Sequence, residues 1–336
     1  MSKPARDQKF LVAAAMRNEG AFLLEWVCWY RMLGFDVLVV TNDCTDHSPD
    51  LLRALEAAGW ISYREHTPNR RQHPKRSAHG AMRRHPAVKA TDWLLICDVD
   101  EFLVLHKADT IAEYVAGFTP PPLGFGFHWK CFGFGDNDVW DDVPLHRAFQ
   151  RAAPRHNRAN VCFKSMFRRV GEFRKFSAHS PRGYTGPWED NRHVWVDGSG
   201  KRLWRFQPFE SPQKATAPNR VDHGLAQMNH YIMRFRDSFE LKRGTPSASA
   251  GVDRYDAAFC DRFDRNEVED KTALRFADAF EAIHTSAMAL PDVRRLHHLC
   301  CADYVARLAA KQGKMAKDER RHALHADVAK SAKPGP

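Results

Sequence analysis

Trp93-Leu94-Leu95-Ile96-Cys97-Asp98-Val99-Asp100-Glu101-Phe102 is the stretch on which the reading of this chain turns. Five apolar residues in a row suit a strand buried on both faces, and charge arrives only where such a strand should end. In open α/β sheets, ligands bind beyond the carboxyl ends of the strands. Side chains alternate along a strand, so Asp98 and Asp100 are expected on one side. Two carboxylates held together repel unless a cation lies between them. Hard divalent cations take oxygen ligands, often one or two carboxylates plus substrate phosphates. The pattern predicts a divalent metal, Mn2+ or Mg2+, able to neutralise a departing diphosphate. The plainer reading is a strand ending in an acidic turn.

Outward from this strand, apolar runs and helical stripes alternate. Phe10 to Met16 has strand length, and Phe22, Trp26, Tyr30 and Leu33 form a helical stripe. Asp36 to Thr41 reads as a second buried strand and Trp60 to Arg64 as a short third. Between them a helix is predicted from Ser48-Pro49 through Leu55, with Ser48 as cap and Gly59 as its end. Near-continuous apolar strands separated by helices imply an α/β fold with a mostly parallel sheet flanked by helices. A helix from Thr110 to about Phe118 is broken by Pro120-Pro121-Pro122, and Phe125 to Phe134 reads as strand with turns. Residues 136–230 look irregular, and about 270–308 helical. Residues 312–336, rich in Lys and poor in large apolars, are expected as a flexible basic tail.

The 336 residues suffice for one large domain with additions, and 43% hydrophobic with 27% charged residues is ordinary for a globular chain. A net charge of +10 favours anionic partners without choosing among them. The eight cysteines form no Cys-x-x-Cys pair and read as small buried hydrophobes in a reducing compartment. No signal peptide and no 18-residue apolar run is visible, so a cytoplasmic setting is expected, with at most a peripheral contact to an anionic membrane. Gly124-Phe125-Gly126 and Gly133-Phe134-Gly135 do not open a dinucleotide-binding helix, and no Gly-x-Ser-x-Gly elbow occurs. His297-His298-Leu299-Cys300-Cys301 offers His and Cys three apart on a helix face. A zinc site draws on more ligands than that, so packing with surface histidines is the simpler reading.

Five segments in order carry a family resemblance. They are Met16-Arg17-Asn18-Glu19-Gly20 with Leu24-Glu25-Trp26, Val39 to Asp46 with its Asn42-Asp43-Cys44-Thr45-Asp46 turn, Asp98 to Phe102, Trp129-Lys130-Cys131-Phe132-Gly133, and Asn229-His230-Tyr231 followed by Phe239 and Lys242. In these the chain resembles the glycosyltransferase family 2-like group of GT-A fold, in its branch related to family 92. The resemblance implies a GT-A-like domain over residues 8–245, with a donor half to about 118 and an acceptor half beyond. A helical extension over 246–311 would follow. It implies transfer of a sugar, hexosyl in type and with inversion, from a nucleotide-diphosphate sugar to a hydroxyl on a glycan or another acceptor. Asn18, Glu19, Asn42 and Asp43 would face the nucleoside. Asp98 and Asp100 would hold the metal, with His230 completing it. The plainer role for His230 is a structural histidine stacked under Tyr231. Trp129 would lie on the acceptor side, and His179 would touch phosphate or acceptor. The chain departs from the family at Phe134-Gly135-Asp136 and at Arg234-Phe235.

Residues 64–89 carry eight basic residues against Glu65 alone. Lys75 and Arg76 there are candidates for the diphosphate, since ammonium and guanidinium groups pair with phosphate oxygens. Most of the stretch reads as a solvated face. Aromatic residues are not interleaved with it, so no nucleic acid is expected. An inverting transfer needs a general base; Asp136, Asp138, Asp141, Asp142, Glu189 and Asp190 are the candidates, with Asp136, Glu189 and Asp190 put forward. The rival readings are a nucleotidyltransferase and a basic polyanion-binding protein.

Overall fold

The computed structural model describes residues 7–68, 73–187, 189, 194–203, 213–245 and 252–332. The chain first runs β1 (Phe10–Met16), α1 (Gly20–Met32), β2 (Asp36–Thr41), α2 (Ser48–Ala57), β3 (Ser62–Glu65), α3 (Pro74–Arg84), α4 (Pro86–Ala90), β4 (Trp93–Ile96), β5 (Glu101–Leu105), α5 (Ile111–Ala116) and β6 (Gly124–Cys131). It continues through α6 (Leu145–Ala148), β7 (Arg151–Ala152), β8 (Phe163–Arg168), β9 (Phe173–Lys175), β10 (Arg182–Tyr184), β11 (Trp195–Asp197) and β12 (Ala226–His230). It closes with α7 (Arg236–Lys242), α8 (Ala257–Phe263), β13 (Val268–Glu269), α9 (Ala277–Met288), α10 (Val293–Lys311) and α11 (Arg320–Ser331).

The central sheet has the order β3-β2-β1-β4-β8-β6-β12-β5, with β11 alongside the first half of β6. The four strands β3, β2, β1 and β4 are parallel. Strand β8 enters antiparallel between β4 and β6, and β12 runs parallel to β6 and antiparallel to β5. The sheet is thus mixed and mostly parallel, as the continuous apolar strands require. Both faces are buried. Val12, Ala14, Val37, Val39 and Leu95 enter one core, and Leu11, Ala13, Leu38, Val40 and Leu94 the other. Helix α3 covers the second core with Ala78, Ala81 and Met82.

Helix α1 is buried along its length from Gly20 to Tyr30, more than an amphipathic stripe would need. Its inner side carries Trp26, Trp29 and Tyr30, none of them exposed. Its outer side is roofed by α9 and α10, whose Phe280, Leu296, Cys300 and Tyr304 belong to the same core. The C-terminal helices therefore complete the α/β domain rather than form a separate layer of their own. Gly20 marks the tightest approach. A Cβ there would lie 2.6 Å from the Cys300 sulfur and 2.9 Å from Ser48 Oγ.

Three local expectations change. Helix α2 has His47 at its cap position, with Ser48 already helical. Asp46 takes the capping part: Oδ1 accepts the Ser48 N–H at 3.1 Å and Oδ2 the Gly20 N–H at 3.3 Å. One carboxylate so serves the N-termini of two helices, where the helix dipoles favour negative charge. Strand β4 ends at Ile96, so the aspartates lie beyond it. Residues 320–331, expected within a flexible tail, form α11 against α10, with Ala329 buried and Arg321 Nη1 donating to the Trp140 carbonyl at 2.5 Å. Among the described residues no helix is long and apolar enough to cross a membrane.

Gly20→Ala is expected to cost about 1–3 kcal/mol through overpacking at the α1–α10 contact. A urea-unfolding midpoint equal to that of the unaltered chain would show that the contact gives way freely.

Candidate active site

The carboxylates sit in a tight turn, not on a strand. The Glu101 N–H donates to the Asp98 carbonyl at 3.0 Å, closing residues 98–101 between β4 and β5. The turn is held from every side. Trp26 Nε1 donates to the Asp98 carbonyl at 3.1 Å, Tyr30 Oη to the Glu101 carbonyl at 3.0 Å, and the Tyr231 N–H to the Asp100 carbonyl at 2.9 Å. The wholly buried Glu101 side chain folds back so that Oε2 accepts the Asp98 N–H at 2.7 Å, while Oε1 accepts Trp129 Nε1–H at 2.8 Å.

Lysines supply the positive charge that the paired carboxylates demand. Lys164, on β8 and 1% exposed, places Nζ 3.0 Å from Asp98 Oδ2 and 2.8 Å from Glu101 Oε2. Lys75, in the first turn of α3, reaches Asp98 Oδ1 at 2.5 Å. Burial pushes the Asp98 carboxyl up, but Lys164 and Lys75 outweigh it and hold the group well below the usual range. Burial likewise raises Asp100, and His230, Arg234 and Lys242 bring it below its ordinary value. Burial, aided by Asp98 and Asp100, pushes Glu101 up to about 7 against the pull of Lys164. Three donors aimed at its two oxygens favour the carboxylate form. Burial would lower Lys164, but Asp98 and Glu101 raise it, so it stays an ammonium.

His230 closes the far side, at the end of β12 opposite Glu101 in register. Its Nε2 lies 3.8 Å from Asp100 Oδ1 and 3.9 Å from Glu101 Oε1, and its ring packs on Trp129 with centroids 4.3 Å apart. It stacks on Trp129 and not beneath Tyr231, whose hydroxyl accepts from Asn229 Nδ2. Burial holds its pKa down at about 4, which leaves a neutral imidazole able to ligate a metal. Asp100 and His230 are spaced for one ion. Asp98 is turned to the two lysines, and the three predicted ligands do not gather around one point.

The predicted nucleoside loops follow the adjacent strands β1 and β2. Asn18 Oδ1 accepts the Thr45 N–H at 2.7 Å, and its Nδ2 donates to Thr45 Oγ1 at 3.0 Å. Both Asn18 and Asp43 have positive φ, 56° and 48°, which Asn and Asp tolerate better than most residues. Asp43 is exposed and accepts from the buried Asn42 at 3.1 Å. Glu19 is paired with the buried Arg234 at 2.7 Å, which explains the departure at that position: the guanidinium also lies 3.9 Å above the Phe22 ring. Arg234 Nε and Nη2 make no hydrogen bond within the described residues.

Other candidates fall elsewhere. Trp129 is buried and serves Glu101 rather than presenting a free face. His179 gives its Nδ1 to the Phe163 carbonyl at 3.0 Å and packs 5.5 Å from Trp129. Arg76 is exposed, and no contact of its side chain ties it to the carboxylate turn. Asp136 is exposed on the loop after β6, whose Phe132 N–H bonds the His230 carbonyl. Glu189 is exposed beyond β10, and Asp190 lies outside the described residues. Sequence reasoning passed over Lys164. A lone lysine in Phe163-Lys164-Ser165-Met166-Phe167 was its signal, since a charge buried in an apolar strand must be paired.

No family model matches the chain. Over 125 residues it is 23% identical to a glycosyltransferase family 92 protein of Oryza sativa subsp. japonica, a stretch that is 37% of this chain and 21% of that one. The chain is a distant homologue of glycosyltransferase family 92. The match spans about a fifth of the length of that family 92 relative. Among solved structures, S. aureus TarS 1-349 aligns over 96% of this chain and 91% of its own at 10% identity and a TM-score of 0.35. A Pyrobaculum calidifontis mannosyltransferase in complex with GDP-Man and Mn2+ aligns over 97% and 87%, at 14% identity and a TM-score of 0.35.

Replacing Lys164 with Met leaves the buried Glu101 and the partly buried Asp98 without their shared cation and is expected to cost about 3 kcal/mol or more. Substituting the more exposed Lys75 should cost much less. Acid should also weaken the fold. Burial lowers His79, His179 and His223 to about 3 and His128 and His230 to about 4. Each takes up a proton on unfolding below its free value of about 6.5, so its contribution is full above that pH and lost as pH falls. Glu101, raised to about 7, works the opposite way, one carboxyl against five imidazoles. Between pH 6.5 and 5 the unfolding free energy should rise with pH by at least about 1.4 kcal/mol per unit, the slope for net uptake of one proton. A flat profile would contradict the neutral, buried state of these histidines.

Proposed function

We propose that this chain is a glycosyltransferase that moves a sugar from a nucleotide-diphosphate donor to a hydroxyl acceptor. The observation that carries this reading is the convergence of Asp98, Asp100, neutral His230, Lys75 and Lys164 on one turn at the carboxyl end of the parallel strands. Distant kinship with family 92 supports it. Asp43, exposed at the end of β2, is the carboxylate best placed to accept hydrogen bonds from nucleoside hydroxyls. Asn18 and Asn42 shape that loop pair, and the Glu19–Arg234 ion pair braces its floor.

The oxygen and nitrogen donors of Asp100 and His230 fit Mn2+ or Mg2+, with ligand atoms 3.8 Å apart. A cation held there would supply charge neutralisation for the departing diphosphate. Asp98 stays with its lysines in this scheme. Lys164 holds Asp98 and Glu101 in place, and Lys75, 18% exposed, sits where it can turn from Asp98 to a phosphate oxygen. Trp129 and Glu101 orient the floor of the site through their 2.8 Å hydrogen bond. The acceptor base is sought first at Asp136, whose loop adjoins His230. Inversion and a hexosyl donor are carried by the family resemblance alone.

Calorimetric titration with UDP and with GDP, with and without Mn2+, tests this reading on the unaltered chain and on Asp100→Asn and Asp43→Ala. One nucleotide should bind more tightly with Mn2+, and Asp100→Asn should abolish that gain, about tenfold or more in Kd. Binding that ignores both Mn2+ and Asp100→Asn would remove the metal role. Pyrophosphate release from a nucleoside triphosphate and a sugar 1-phosphate would instead establish a nucleotidyltransferase.

A further inference from the structure

Behind the carboxylate turn, on the helical side of the domain, lies a second group of metal-ligating side chains. Asp142 follows Trp140 in the loop after β6, His297 and Cys301 lie one helical turn apart on α10, and His325 comes from α11. The ligand atoms of Asp142, Cys301 and His325 all lie within 4.8 Å of one another, the only such group of His, Cys, Asp or Glu among the described residues. His297 flanks this group, touching two of its three members, with Nε2 3.1 Å from Asp142 Oδ2 and 3.6 Å from Cys301 Sγ. A tetrahedral zinc ion with bonds of about 2.0–2.3 Å sets neighbouring ligand atoms roughly 3.3–3.8 Å apart. The two distances from His297 Nε2 fall near this range, and the other three ligand atoms, within 4.8 Å of one another, would draw in on an ion by side-chain rotation.

The surroundings are those of a built site. Cys301 is wholly buried and His297 is 4% exposed, with its Nε2 turned to Asp142 and Cys301. Asp142, its side chain 29% exposed, leaves a route of entry. His298 Nδ1 meets His325 Nδ1 at 2.9 Å, and the His325 ring packs 5.8 Å from Trp140, contacts that fix the orientation of the ring. By sequence spacing, His and Cys three apart share a helix face, and packing with surface histidines is the simpler reading. In the fold Cys300 turns away toward Gly20, and the residue four positions from His297 is the one that meets it. The missing ligands come from two distant segments that no spacing rule links.

We propose that Asp142, His297, Cys301 and His325 form a structural zinc site that clamps α11 and the loop after β6 onto α10. Four protein ligands close the coordination sphere, as structural rather than catalytic zinc requires. Binding converts the Cys301 thiol to a thiolate and releases its proton to solvent, with no change of oxidation state. Mixed sulfur and imidazole donors set this site apart from the oxygen-rich carboxylate turn and favour Zn2+ over Mn2+ or Mg2+. Helix α10 packs on α1, so the clamp steadies the roof of the helix that holds the carboxylate turn.

The test is Zn2+ titration of the chelator-stripped full chain against a chromophoric competitor, with Co2+ as spectroscopic probe. One zinc per chain is expected, with a thiolate-to-cobalt charge-transfer band and the intense visible bands of tetrahedral Co2+. Cys301→Ser should remove the charge-transfer band, and His325→Ala should weaken zinc binding about 100-fold or more. Cys300→Ser and Asp100→Asn should leave both unchanged. Because a variant can misfold, the unaltered chain is read first: no stoichiometric zinc, or a cobalt spectrum without the thiolate band, overturns the proposal. Equal zinc affinity in a folded Cys301→Ser variant overturns it too.

Discussion

Lys164 Nζ sits between Asp98 and Glu101, almost sealed from solvent, and much of the domain is arranged around that ion pair. Three carboxylates within four residues, one buried and two partly so, could not be crowded together on their own, because the charged forms would repel and the protonated forms would lose their hydrogen bonds. One ammonium from β8, a second from α3, the Trp129 indole and the turn's own backbone together satisfy them. Each donor arrives on a different element. The constraint therefore reaches through β4, β5, β6, β8, β12 and α3, and a shift in any one of these strands would strand a charge in the core.

The same turn explains why α1 is buried on nearly all sides. Its inner aromatics are committed to the backbone of residues 98–103 through Trp26, Trp29 and Tyr30, so its outer face still needs cover. Helices α9 and α10 provide it, with Phe276 and Phe280 against Trp29 and Tyr304 against Phe22. Asp46, in the loop after β2, ties the N-terminus of α1 to that of α2. The site and the C-terminal helices thus depend on one another through a single buried helix. Removal of the roof would expose aromatic surface directly behind the carboxylates.

The strands were legible because each is a short continuous apolar run, and burial on both faces leaves few alternatives. The turn was not. Asp98 and Asp100 were read as neighbours on a strand, but the Glu101 side chain accepts the Asp98 N–H and stabilises a turn that alternation cannot anticipate. Helix α11 was missed because Arg320 to Ser331 is polar on most of its surface and anchors mainly through Arg321, His325 and Ala329. Ser48 looked like a cap by residue type, but the better acceptor, Asp46, lay two residues earlier and within reach of α1 as well.

By itself the sequence determined the alternation of strands and helices, the place of the acidic cluster at a strand's carboxyl end, and the need for positive charge beside it. Those follow from local periodicity and from the cost of burying like charges, which act along the chain. Only the tertiary structure decided which cations answer that need. Lys164 lies 66 residues from Asp98 and His230 lies in another strand again, and pairing between them depends on strand order and register. The same holds for the cluster of Asp142, His297, Cys301 and His325, whose members meet because α10 and α11 pack together. Charge pairing and metal-ligand geometry are distances in space, and the spacing of residues along a chain does not contain them.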